Sequence, residues 1–216
     1  MSDLSVGGGP RPERRATLRL GQRELSLISL AVIALSVALV GFFGYRIFLN
    51  FKVTRNLIVA ENNLRALYTA MRGYAQDWEG RLPDADRWVE QTLGYLSAPR
   101  GMGGGPQAYL QGPADSGTVG YAYNELASGY NVETGKNAKG EVVNPGQLIL
   151  LIERPGVTPE QSATVRIPLQ TNLQARDALE KELAFPHNSD DTENATTVVL
   201  YANGRVQRLI RRDFKF

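Results

Sequence analysis

The 216 residues carry 24 lysines and arginines against 22 aspartates and glutamates, a formal net charge of +2, and this balance points to no nucleic-acid partner. There is no cysteine and only one histidine, which excludes disulfides, thiol catalysis, cysteine-held zinc and multi-histidine metal sites.

Residues 1–24 form a basic tail in which Arg11, Arg14, Arg15, Arg19 and Arg23 outweigh Asp3, Glu13 and Glu24. A segment so short and charged cannot bury a core. An uncharged apolar run then extends from Leu25 to Tyr45, between Glu24 and Arg46. At about 1.5 Å of rise per helical residue it covers roughly 32 Å, which matches a hydrocarbon core of about 30 Å. It exceeds the apolar core of a secretory signal, and no small-x-small cleavage pattern follows, so residues 25–45 are expected to be an uncleaved transmembrane helix in a lipid bilayer. The N-terminal arginines outweigh Arg46, Lys52 and Arg55, which favours a cytoplasmic N-terminus and places residues 46–216 outside as one domain.

Beyond the span, Val53, Leu57, Ala60, Leu64, Leu67, Met71, Tyr74 and Trp78 step by four and three, a heptad stripe. No proline interrupts it, so one helix from about Leu25 to Trp78 is predicted. The stripe has two possible uses: it lies on the protein's own sheet, or Val53, Leu57, Leu64, Leu67 and Met71 also form a seam with neighbouring copies. Asn56, Asn63 and Ala70 are expected on the exposed side. The helix should end at Glu79-Gly80, before Pro83, because glycine accepts a left-handed conformation. A short helix containing Trp88, Val89 and Leu93 is expected next, capped by Asp84 or Asp86.

Residues 97–117 are rich in glycine and proline and read as a loop; with no Lys-Ser/Thr and with Pro106 lacking an amide donor, it does not fit a phosphate cradle. Strand-like runs follow at 119–123, 147–153 and 196–202, the last returning over 205–210 through Asn203-Gly204, a sequence suited to a type I′ turn. A third helix is expected over 172–183. The fold class is α+β, with a long N-terminal helix packed on a small antiparallel sheet.

Little here suggests catalysis. His187 is the one imidazole a triad could use, and neither a Gly-x-Ser-x-Gly elbow nor a His-Glu-x-x-His pair occurs. No small-molecule substrate is indicated. The acidic insert at 187–194 brings Asp190, Asp191 and Glu193 close in sequence, oxygen donors of the kind that hold calcium, although their spacing is not that of an EF-hand and a solvated loop is the simpler reading.

Several segments taken together carry a resemblance. Asn62-Asn63-Leu64-Arg65-Ala66-Leu67 leads to Tyr74-Ala75-Gln76-Asp77-Trp78-Glu79-Gly80-Arg81-Leu82-Pro83. Gly120-Tyr121-Ala122-Tyr123-Asn124-Glu125, Pro145 to Glu153, and His187 with Val199 to Val206 follow in order. Behind a membrane helix, this succession resembles the pilin-like proteins of the type II secretion and type IV pilus superfamily, closest to a planctomycete-type subgroup with a closing His…Asp-Gly hairpin. The resemblance implies a pseudopilin-like assembly component in a bacterial inner membrane, with related subunits or further copies as partners. A free-standing anchored binding module using the 97–117 loop is the alternative. The chain departs from the family around Gly21, where Gln22-Arg23-Glu24 replaces the usual processing pattern, so retention of the N-terminal tail is expected.

Overall fold

The computed structural model describes residues 17–20, 23–97, 105–114, 117–171 and 173–214. The processing segment at Gly21-Gln22 and much of the 97–117 loop therefore lie outside the described residues. Two compact units are present, Met1–Asn50 and Phe51–Phe216.

In the first unit, β1 (Thr17–Leu20) pairs antiparallel with β2 (Arg23–Ser26), Thr17 opposite Ser26. Part of the basic tail is thus a two-stranded hairpin, and Leu25 and Ser26 belong to it. The helix α1 starts two residues later than expected and runs as one 51-residue element, Leu27–Asp77.

In the second unit, the C-terminal part of α1 lies against a six-stranded sheet. The strands are β3 (Gly112–Ala114), β4 (Gly117–Asn124), β5 (Ile149–Pro155), β6 (Thr164–Val165), β7 (Thr196–Tyr201) and β8 (Val206–Ile210). Their order is β3-β4-β5-β7-β8, antiparallel throughout, with β6 pairing parallel to β4. The helices α2 (Trp88–Leu93) and α3 (Leu173–Glu182) complete the unit, α3 close to its predicted span. Within the 97–117 stretch, Pro106–Leu110 form a 3-10 helix and Gly112–Ala114 pair with β4, so these residues are ordered structure and not loop.

Both faces of the sheet are buried. Tyr121 and Tyr123 of β4, with Val198 and Leu200 of β7, meet Leu57, Leu64, Leu67 and Met71 of α1. Their neighbours Ala122, Val199 and Tyr201 point to the opposite face, where Leu179 of α3, Leu183, Phe185 and Phe214 cover them. The β5 strand breaks this alternation: Leu150 and Leu151 both face α1, while Ile149 and Ile152 face α3. The register with β7 shifts between Ile149 and Leu151, and one irregularity of that kind puts two successive side chains on one face. This explains the unbroken apolar run that the sequence shows there.

Two local expectations are corrected. The α2 helix has Arg87 at its N-cap with no side-chain cap; Asp84 instead accepts hydrogen bonds from Arg87 at 3.4 Å and Gln91 at 3.2 Å. The β7–β8 hairpin does not use a type I′ turn, because Gly204 has φ +83° while Asn203 is not left-handed. Gly204 N–H donates to the Tyr201 carbonyl at 2.9 Å, Tyr201 N–H donates to Arg205 at 2.9 Å, and the Asn203 side chain accepts from Arg205 N–H at 3.0 Å. This is a three-residue connection ending in a left-handed glycine.

Gly204 is constrained twice, since a Cβ there would stand 2.6 Å from Cε1 of Tyr68 on α1. The variant Gly204→Val is therefore expected to lose about 2 kcal/mol or more, from positive φ and from displacement of the tyrosine ring. Thermal melting of the full chain reads the loss; an unchanged midpoint would mean that the turn tolerates a side chain.

Candidate functional site

The surfaces on which function can rest begin with α1. In its N-terminal part the large apolar side chains, among them Ile28, Val32, Leu35, Val40, Phe43, Ile47 and Phe51, are exposed. None of the most apolar 18-residue window of the helix is buried, and by length and composition the helix is able to cross a membrane. The hydrophobic effect does not leave such a surface in water, so a nonpolar medium or apolar partners must cover it.

From Val53 onward the stripe turns to the protein's own core. Leu57, Leu64, Leu67 and Met71 are buried and Val53 is half-buried against the same cluster, so the residues singled out as an assembly seam serve the sheet. Trp78 departs from the stripe: it is 56% exposed and stacks on Tyr74 with centroids 5.4 Å apart. Asn56, Asn63 and Ala70 are not exposed either. They are buried, and Asn63 donates to the Gln111 carbonyl at 2.8 Å, fixing the 3-10 segment to the helix. A helix covered by a broad sheet buries a face wider than a heptad line, which is why positions beside the stripe go in as well. The exposed side of α1 here comprises Thr54, Arg55, Ile58, Asn62, Arg65 and Thr69. Glu61 at its margin pairs with Arg208 of β8 at 2.5 Å and with Arg65 at 3.6 Å.

Two buried polar nodes tie the sheet together. Glu153 on β5 and His187 are both fully buried, with His187 Nε2 2.8 Å from Glu153 Oε1. The other carboxylate oxygen accepts from Val198 N–H at 2.7 Å and from the Thr197 hydroxyl at 3.3 Å. His187 Nδ1 is buried without a partner among the described residues. A bare ring lone pair costs less there than an N–H, so the tautomer that fits carries its proton on Nε2 and donates to Glu153. Tyr121 lies opposite Glu153 in the β4–β5 register. Burial pushes the Tyr121 phenol well above the ordinary tyrosine value, and the Glu153 charge adds to that.

The second node is Asn124. Its amide donates to the carbonyls of Ile149 and Ile167, each at 2.9 Å, and its oxygen accepts from Ile167 N–H at 3.0 Å and Leu126 N–H at 3.2 Å. The sequence shows His187, Asn124 and Glu153 as parts of separate motifs. Nothing in it pairs Glu153 with a histidine 34 residues away.

In the acidic insert, Asp190, Asp191 and Glu193 are all exposed. Asp191 organises its own turn, accepting from the backbone N–H groups of Glu193 at 3.2 Å and Asn194 at 3.1 Å and from the Asn194 amide at 2.7 Å. The Asn194 side chain holds the Asp191 carboxyl below the usual aspartate value. Among the described residues, no three acidic or imidazole side chains gather where a metal ion could sit.

The fold and these surfaces define an α+β chain with one long apolar N-terminal helix that is compatible with a single-pass membrane anchor. No family model, curated protein or solved structure matches the chain.

Proposed function

We propose that this chain is a membrane-anchored, pilin-like structural subunit, held in a bacterial cytoplasmic membrane by the first half of α1, with its α+β domain outside. The observation that supports the reading is the division of labour along one helix. Its first part, through Tyr45, exposes an uncharged and largely apolar surface, and its second part lays a buried stripe beneath an antiparallel sheet. The N-terminal arginines support the orientation. Contact between subunits falls to the exposed side of α1 and to the apolar surface before Asn50, because the stripe is already used.

Single cysteines are simple to interpret in a cysteine-free chain. Placed at the exposed positions Ile58, Asn62 and Thr69, they are expected to give position-specific cross-linked species on oxidation in intact membranes. Uniform absence of links at native expression, together with a monomeric detergent extract, overturns the assembly reading. A second reading, an anchored binding module, is favoured by one observation, the open cleft beside Trp78.

A further inference from the structure

Where α1 ends, the chain turns through two successive left-handed residues, Glu79 with φ 54° and Gly80 with φ 78°. Gly80 N–H donates back to the Ala75 carbonyl at 2.8 Å. The turn is gripped from outside: Asn131 donates to the Glu79 carbonyl at 2.7 Å and Val132 N–H to the Gly80 carbonyl at 2.8 Å. A glutamate held in this conformation stores strain of the kind that persists only where surrounding contacts impose it. The turn borders a cleft of about 620 Å³, within the range of about 300–1,000 Å³ typical of small-molecule sites.

Trp78 is among the lining residues of this cleft and is 56% exposed. It is held in place by a column of rings. Tyr74 stacks on it at 5.4 Å and 14°, Tyr95 meets Tyr74 edge-on at 5.8 Å, and the Tyr95 hydroxyl donates to Asp77 at 2.8 Å. The same cleft is lined by the planar polar groups of Asp84, Arg87 and Gln91, already joined by hydrogen bonds that set their orientation. Glu79 and Arg81 complete the rim.

Charge decides among ligand classes. An anion meets the carboxylates of Asp77, Glu79 and Asp84 and the negative end of a long helix. A cation meets Arg81 and Arg87. A purely apolar ligand desolvates all of them. A neutral ring with many hydroxyls satisfies acceptors and donors together while laying its C–H face on the indole. We infer that this cleft binds an uncharged pyranose oligosaccharide, with Trp78 as the stacking platform and Asp84, Arg87 and Gln91 as the hydrogen-bonding partners. The inference is independent of whether the chain assembles.

The test uses the full chain in a polyoxyethylene detergent, since glucoside detergents are themselves pyranoses. It is titrated with cellohexaose, with chitohexaose and with a lysine-rich peptide while tryptophan emission and acrylamide quenching are followed. Trp88, the other tryptophan, is 1% exposed, so quenchable emission reports Trp78. Either oligosaccharide is expected to shift the emission to the blue and protect it, and which one acts tells whether hydroxyl or acetamido groups are read. By calorimetry, Trp78→Ala and separately Arg87→Ala should each weaken binding about tenfold or more. Arg87→Ala, at an exposed side chain, should melt like the parent, and Trp78→Ala, which loses its stacking on Tyr74, should melt only a few degrees lower, so that neither loss of binding reflects unfolding. Response to the peptide alone, no response to any probe, or full affinity in both variants overturns the proposal.

Discussion

Replacing His187 by alanine is expected to lower the melting midpoint by on the order of 10 °C, the largest single effect on this domain, because it leaves the Glu153 carboxylate enclosed without its imidazole partner. Taking the imidazole N–H away from an enclosed carboxylate costs about 1–3 kcal/mol or more, against a total stability of about 5–15 kcal/mol for a typical domain. The carboxylate keeps its bonds from Val198 and Thr197, so the loss is partial. The milder variant His187→Gln, which can still present an amide donor, should recover part of it. Melting of the full chain in detergent, followed by circular dichroism, reads both. An alanine variant that melts like the parent would show that the pair contributes nothing to the fold.

Asn124→Asp is expected to be comparably severe although it changes one atom. The amide nitrogen donates to two buried carbonyls, and a carboxylate in its place donates to neither and brings a charge to a fully buried position. Each orphaned buried acceptor costs about 1–3 kcal/mol, and burying the charge adds to this. Because Asn124 joins the end of β4 to Ile149 on β5 and to the chain at Ile167, the damage should spread across the sheet. Hydrogen exchange is the informative measurement: the amides of the β4–β5 ladder should lose protection, while those of Leu126 and Ile167, which a carboxylate oxygen still accepts, should lose it only as the sheet loosens. Unaltered exchange along both strands would refute the role given to this side chain.

Much of the architecture is legible in the residues because it is written at short range. The apolar run, the stripe from Val53 to Met71 and the paired runs at the C-terminus have periodicities that determine helix or strand locally. The β3 and β6 strands escape notice because they are short and borrow their conformation from β4. The dipeptide Asn203-Gly204 by itself points to a type I′ turn. Tyr68 on α1 and the Arg205 hydrogen bonds select another geometry, an override of local preference by packing.

The candidate surfaces divide in the same way. Exposure of Trp78 and burial of Asn56, Asn63 and Ala70 depend on where the sheet and the 106–110 segment settle on α1, and a heptad count carries no information on that. The cleft beside Trp78 gathers residues from the end of α1, the 79–87 turn, α2 and Gly129.

By itself the sequence determined that this protein has one long helix with an apolar, membrane-length first half, an α+β domain after it, and no cysteine or multi-histidine chemistry. Hydropathy, periodicity and composition are local or additive, so a linear reading captures them. Only the tertiary structure decided which face of α1 is covered, that Glu153 finds His187, that Asn124 closes four hydrogen bonds, and that an exposed tryptophan borders a polar cleft. Those features arise from groups far apart in the chain. They meet because burial drives the sheet and helix together and leaves each enclosed polar group to find a partner.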